Sequence, residues 1–280
     1  MGYSFRFKMP NASWRELLAR IQKQLPADLR VSVEKPELGS KNKAPSALII
    51  FRDRLSTRGV ELLESEDRLT LRIPAFPSRE DVTLGLHVAQ LAAEELGGEV
   101  ETIDGVLAAK DLFADKIAEP IGRAQSGDLA ALNAAVTKGE TQQFMGAVRP
   151  FFIGPRLYEE LRSNTAQEGM MERVVRAFHT TQWIHLKGFQ SATILGLRKG
   201  ATDFTASAWS PGPGHLFAPV DIVLVKAPGQ PLRLPWAGLQ PAAQERFRFL
   251  DEKQVLVLPI TEAEWPEIIS RAEALLGVKN

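Results

Sequence analysis

His87, His179, His185 and His215 are the chain's whole stock of imidazole, and it has no cysteine. Imidazole is the side chain most often used for acid–base and metal chemistry near neutral pH. The missing thiols remove disulfides, thiolate nucleophiles, cysteine zinc sites and iron–sulfur clusters. His87 lies between Leu86 and Val88 in a helical stretch and reads as a helix-flank residue. His179 and His185 match neither the i, i+4 spacing of two ligands on one helix face nor the alternate spacing of one strand face. A metal held by that pair needs a distant carboxylate. His215 follows the turn-forming run Pro211-Gly212-Pro213-Gly214 and is expected in an exposed loop. No metal site and no cofactor are expected.

Other catalytic signatures are equally sparse. There is no Gly-x-Ser-x-Gly elbow, no Walker glycine loop and no Gly-x-Gly-x-x-Gly. Ser40 and Ser126 have only loop-like neighbours. Glu94-Glu95, Glu159-Glu160 and Asp251-Glu252 are adjacent pairs, and neighbours on a helix diverge by about 100°. They read as solvated faces rather than as a glycosidase-type site.

Arginine and tryptophan are the better candidates for recognition. Arg52, Arg54 and Arg58 follow an apolar strand, and Arg149 stands before Pro150. Arginine captures carboxylates and phosphates bidentately, but beside a strand end it also anchors structural ion pairs. Trp14 and Trp265 fall on the apolar faces of helices and read as core. Trp183, Trp209 and Trp236 fit either the core or a contact surface, and Leu232–Leu239 around Trp236 is the preferred contact segment.

Several elements would position these groups. Tyr3, Phe5 and Phe7 alternate with Ser4, Arg6 and Lys8 as a strand. Trp14–Gln24 reads as a helix capped by Asn11 or Ser13, Leu29–Glu34 and Ala47–Phe51 as strands, and 36–45 as a loop. Val60–Leu63 and Leu69–Ile73 read as a hairpin. Ser78 caps a helix that Gly97-Gly98 closes, with Asp81 in place of the usual glutamate of a capping box. The pattern weakens from Glu99 to Gln125, with Ile103–Leu107 as a short strand and Asp111–Ile117 as a helical turn. Pro120, Gly122 and Gly127 suggest a domain boundary there. Helices are then expected at Asp128–Thr137, Arg156–Ser163 and Glu168–His179. Strands follow at Gln142–Val148, Gln182–Leu186, Ala192–Leu197, Phe204–Trp209, Asp221–Val225 and Val255–Leu258, and Thr261 caps a last helix. The expected fold is α+β, in two mixed units with largely antiparallel sheets flanked by helices, over residues 1–120 and 121–280.

The chain has 280 residues, of which 44% are hydrophobic and 24% charged, enough for real cores and against wholesale disorder. Its 34 basic residues balance 34 acidic ones, so no global attraction to nucleic acid or an anionic membrane is expected. No stretch approaches the ~18 apolar residues of a membrane span. A cytoplasmic setting is expected, without a signal peptide.

Arg58–Leu62, Pro77–Asp81 and Phe144–Pro150 together resemble, in order and spacing, a bacterial family of domain-of-unknown-function proteins of about this length. The resemblance implies a bacterial cytosolic origin and brings no activity with it. The leading expectation is a non-enzymatic protein-binding protein, with a toxin-neutralising immunity or antitoxin role as one version. Arg58, Arg149, Trp183, His185, Trp209 and Trp236 are its candidate contacts. The alternative is an enzyme or small-molecule binder using Arg58, Arg149, His179 and His185 in a cleft between the two units. A self-associating structural subunit is a third possibility.

Overall fold

The computed structural model describes residues 2–8, 13–33, 48–65, 67–113, 115–163, 169–184, 188–199 and 202–277. Its chain forms two compact units, Met1–Trp183 and Ile184–Asn280. Both mix helices with sheets, so the α+β class holds. Among the described residues, no helix is long and apolar enough to cross a membrane.

The first unit begins with β1 (Tyr3–Lys8), α1 (Trp14–Ile21), β2 (Leu29–Val33), β3 (Leu48–Arg52), β4 (Val60–Glu64) and β5 (Arg68–Ile73). Next come α2 (Arg79–Leu96), β6 (Glu99–Thr102) and β7 (Gly105–Ala108). These strands make one seven-stranded sheet in the order β2-β3-β4-β5-β1-β6-β7, antiparallel at every step. The alternation read in β1 sets its register, from Tyr3 opposite Ile73 to Lys8 opposite Arg68, so Tyr3, Phe5 and Phe7 share the buried face with Leu69, Leu71 and Ile73. Helices α1 and α2 cover that face. Ser13 caps α1 by accepting the Arg15 amide at 3.1 Å, and Trp14, Leu17, Leu18 and Ile21 form its buried stripe. The Ser78–Asp81 capping box on α2 is complete: the Ser78 hydroxyl accepts the Asp81 amide, and the Asp81 carboxylate accepts the Ser78 amide. Aspartate therefore does what glutamate usually does at this position.

The unit continues with α3 (Asp115–Thr137), β8 (Gln142–Met145), β9 (Pro150–Ile153), α4 (Pro155–Ser163) and α5 (Met170–Trp183). Pro120 is not a boundary, because it lies inside α3. A proline within a helix costs on the order of 3 kcal/mol through its lost amide and ring clash. Here Ile117 and Ile121 on either side of it are buried in the sheet core. Further along, Leu132 and Val136 enter a second core with Phe151, Val174 and Phe178. The rings of Phe151 and Phe178 stack at 4.4 Å. Gln182 and Trp183 complete α5 rather than opening a strand, because Val174, Phe178, Thr181 and Gln182 continue one buried helical stripe.

The second unit contains β10 (Phe189–Ser191), β11 (Ile194–Lys199), β12 (Thr202–Trp209), β13 (Gly214–Phe217), β14 (Ile222–Val225) and β15 (Leu232–Pro235). Then follow α6 (Leu239–Ala243), β16 (Phe247–Phe249), β17 (Val255–Val257) and α7 (Trp265–Leu276). They build two four-stranded sheets, β10-β13-β17-β16 and β11-β12-β14-β15. Each has one parallel pair, β10 with β13 and β12 with β14, among antiparallel neighbours. Their shared core is centred on tryptophan. Trp209 is 1% exposed and meets Trp265 edge-on at 5.3 Å and Phe217 at 6.4 Å, while the Trp265 indole donates to the Lys226 carbonyl at 2.8 Å. Removing such an aromatic leaves a cavity worth about 3–5 kcal/mol. Trp209→Ala is therefore expected to lose that much stability in urea-induced unfolding of the second unit, followed by its tryptophan fluorescence.

Candidate functional site

The chemistry-bearing residues of the first unit gather around the loop between β3 and β4. At its start, the Arg52 guanidinium bonds Asp28 at 3.1 Å and Glu80 at 2.9 Å. At its end Gly59 has φ +72°, and an added Cβ would stand 2.3 Å from the Ile50 carbonyl oxygen, so only glycine fits. In between, the chain wraps the fully buried Asp81 carboxylate. That carboxylate accepts the amides of Thr57 (3.0 Å), Arg58 (3.1 Å) and Gly59 (2.9 Å), the Thr57 hydroxyl (2.6 Å) and the Ser78 amide (2.9 Å). A buried carboxylate is tolerable only when its lone pairs are satisfied in this way.

Arg58, nominated as a ligand contact, is held by the same junction. Its Nε donates to the Met145 carbonyl at 2.7 Å and its Nη1 to the Ala75 carbonyl at 3.1 Å. Its Nη2 is 3.5 Å from Glu61, and its guanidinium lies 5.8 Å from the centre of the Phe144 ring. Burial lowers its pKa from the ordinary arginine value, opposed by the nearby Glu61. Glu61 is buried and also pairs with Arg72. Asp128 is buried too, its carboxyl oxygens make no hydrogen bond among the described residues, and desolvation raises its pKa above the usual range, against the pull of Arg58.

Two further elements meet this loop. From α5, the Trp183 indole donates to the Ser56 carbonyl at 2.5 Å beside the Phe51 ring, and His179 Nε2 lies 3.0 Å from the Arg54 carbonyl oxygen. In the turn between β8 and β9, the Ala147 amide donates to the Thr57 carbonyl at 3.0 Å. Arg149 belongs to that turn. Arg58, Trp183 and His179 thus meet at this loop, and Arg149 lies in the turn that contacts it, all inside one compact unit rather than in a cleft between the two expected domains. His185 lies outside the described residues. Trp209 is core of the second unit and has no surface to offer, and Trp236 half-packs on that same core while its backbone amide donates to the Asp221 carbonyl. The segments Arg58–Leu62, Pro77–Asp81 and Phe144–Pro150 meet at the Asp81 junction.

His215 is not in an exposed loop. It is 3% exposed on β13, stacked on Phe217, with Nε2 2.8 Å from the Gln190 side-chain amide nitrogen. With the Gln190 amide in this orientation the ring nitrogen accepts from it, and burial lowers the imidazole's pKa, favouring the neutral form.

Beside the junction the first unit opens a groove of 740 Å³ between α2, α3 and α5. Val82 and Leu86 of α2, Ile117 and Ile121 of α3, and Met171 and Val175 of α5 make its apolar walls. Its polar lining is Arg79, Gln125, Glu172, Arg176 and His179. Glu172 is engaged by the Gly169 amide at 3.0 Å. Of the groove residues only His179 is among the sequence's candidates for chemistry, and Ser78 is marked there as a helix cap. The others read as ordinary helix faces, and the one available signal was apolar residues on three separate helices.

The chain matches no protein-family model, no curated protein and no solved structure.

Two measurements test the buried polar groups. Asp81→Ala strands several buried amides and is expected to cost about 3–5 kcal/mol in chemical unfolding of the first unit. For His215, burial lowers the folded pKa below the unfolded value of about 6.5. Its contribution is therefore complete above that pH and is lost as pH falls below it. Subtracting the stability–pH curve of His215→Gln from that of the unsubstituted chain is expected to leave a decline on the acid side of pH ~6.5.

Proposed function

We propose that this chain acts by binding, and that the groove between α2, α3 and α5 takes a ligand with an apolar body and an anionic group. The observation that carries the reading is the composition of that 740 Å³ cavity: apolar walls with Arg79, Arg176, His179 and Gln125 among them. Organic ligands favour cavities of roughly 300–1,000 Å³ that are mostly apolar with a few directing polar groups. The arginines set the sign of the charge they prefer, and Glu172 opposes it less because it serves the Gly169 amide. Three of the buried charged groups, Asp81, Arg58 and Glu61, are held by internal hydrogen bonds and ion pairs. That use supports recognition over bond-making chemistry. The cysteine-free composition fits a cytoplasmic setting.

Decanoate is a suitable probe. Isothermal titration is expected to give saturable binding of one decanoate per chain, tenfold or more weaker in Arg79→Gln and absent in Val175→Asp. Equal affinity in all three proteins would defeat the reading.

One observation favours a protein partner, the class of ligand expected from the sequence, with a toxin as one version. Phe113 lines the groove and is 53% exposed, and large aromatics commonly anchor protein interfaces. On this second reading the immobilised chain retains one host protein at equal stoichiometry, Phe113→Ala releases it, and decanoate does not bind.

A further inference from the structure

The turn that joins β8 to β9 has its own amides fully used. The Gly146 amide donates to the Arg149 carbonyl at 3.1 Å and the Ala147 amide to the Thr57 carbonyl at 3.0 Å. The amides of Val148 and Arg149 both donate to the Gln182 side-chain oxygen, at 2.9 and 3.0 Å. Gln182 is 2% exposed, and the approach is so close that a Cβ on Gly146 would lie 2.3 Å from that oxygen. One end of the Gln182 amide is thus committed to holding the turn.

Its other end is not. The Gln182 Nε2 is buried and makes no hydrogen bond among the described residues, and the same is true of Arg149 Nη1. Both are donors, and one carries a full positive charge. Two buried donors without acceptors, one on the β8–β9 turn and one in the last turn of α5, cost about 1–3 kcal/mol each, more for the charged one, so native chains seldom leave them unmet. The Arg149 guanidinium is also desolvated, which lowers its pKa. Within this turn the backbone carbonyl of Arg149 is taken by Gly146 and the Gln182 oxygen by two amides, so neither can turn back to satisfy them. A group that meets both must bring acceptors, and a negative charge suits the guanidinium.

We propose that the β8–β9 turn and the last turn of α5 form a binding site for a small oxyanion, a carboxylate or phosphate group, taken by Arg149 and the Gln182 amide. Guanidinium and carboxamide are the donor types that grip such groups through planar, paired hydrogen bonds. The site differs from the groove, in whose lining neither residue takes part. It is independent of the ligand proposed there.

The full chain would be titrated calorimetrically with sodium phosphate, and separately with sodium acetate, against sodium chloride at matched ionic strength. Saturable one-to-one binding of phosphate or acetate, tenfold or more weaker in Arg149→Gln and in Gln182→Leu but unchanged in Arg79→Gln, is the expected result. The anion that binds more tightly identifies the natural head group as phosphate or carboxylate. Arg149→Lys, which keeps the charge but loses the fork, is expected to fall in between. Absence of saturable heat with either anion would overturn the site. Loss of binding in Arg79→Gln with retention in Arg149→Gln would overturn it in favour of the groove. Should Arg149→Gln not fold, the calorimetry of the unsubstituted chain and of Arg149→Lys decides alone.

Discussion

A single carboxylate ties the first unit together. Asp81 sits in the first turn of α2, and by accepting the amides of three successive loop residues it fixes the path between β3 and β4. That path carries Arg58 to the Met145 carbonyl and the Ser56 carbonyl to Trp183. Sheet, helix α2, the β8–β9 turn and the end of α5 therefore converge on one buried anion. Low local dielectric strengthens each of these bonds and makes each expensive to lose.

The junction also decides which charged groups are left for recognition. A buried guanidinium must find oxygen acceptors, and Arg58 takes backbone carbonyls from two distant segments together with Glu61. Having done so, it has little left to offer a ligand. Arg79, which lies between the two residues of the capping box, lines the groove instead. Arg149 stands between these cases, close to the junction but with a buried donor unmet.

Much of the scaffold was legible in local pattern. The alternation Tyr3-Phe5-Phe7, the stripe Trp14-Leu17-Leu18-Ile21 and the Ser78–Asp81 spacing each imply their element because the driving contacts repeat at the period of that element. Where nonlocal packing outweighed local preference, the pattern misled. Pro120 reads as a breaker, yet α3 runs through it because Ile117 and Ile121 bury against the sheet. Proline and glycine ahead of His215 read as a loop, yet the residue occupies a central strand between β10 and β17. Gln182 reads as the start of a strand, although its helix persists and its amide holds a turn far away in sequence.

The sequence by itself determined that both units would mix helices with largely antiparallel strands, that Trp14 and Trp265 would be core, and that thiol chemistry was excluded. These follow from residue type and short-range period. Only the tertiary structure decided that Asp81 is a hub, that Arg58 is internal and that three helices enclose a groove. A side chain's role as ligand, anchor or linchpin depends on which distant backbone groups the fold brings within about 3 Å of it, and neither composition nor spacing encodes that distance.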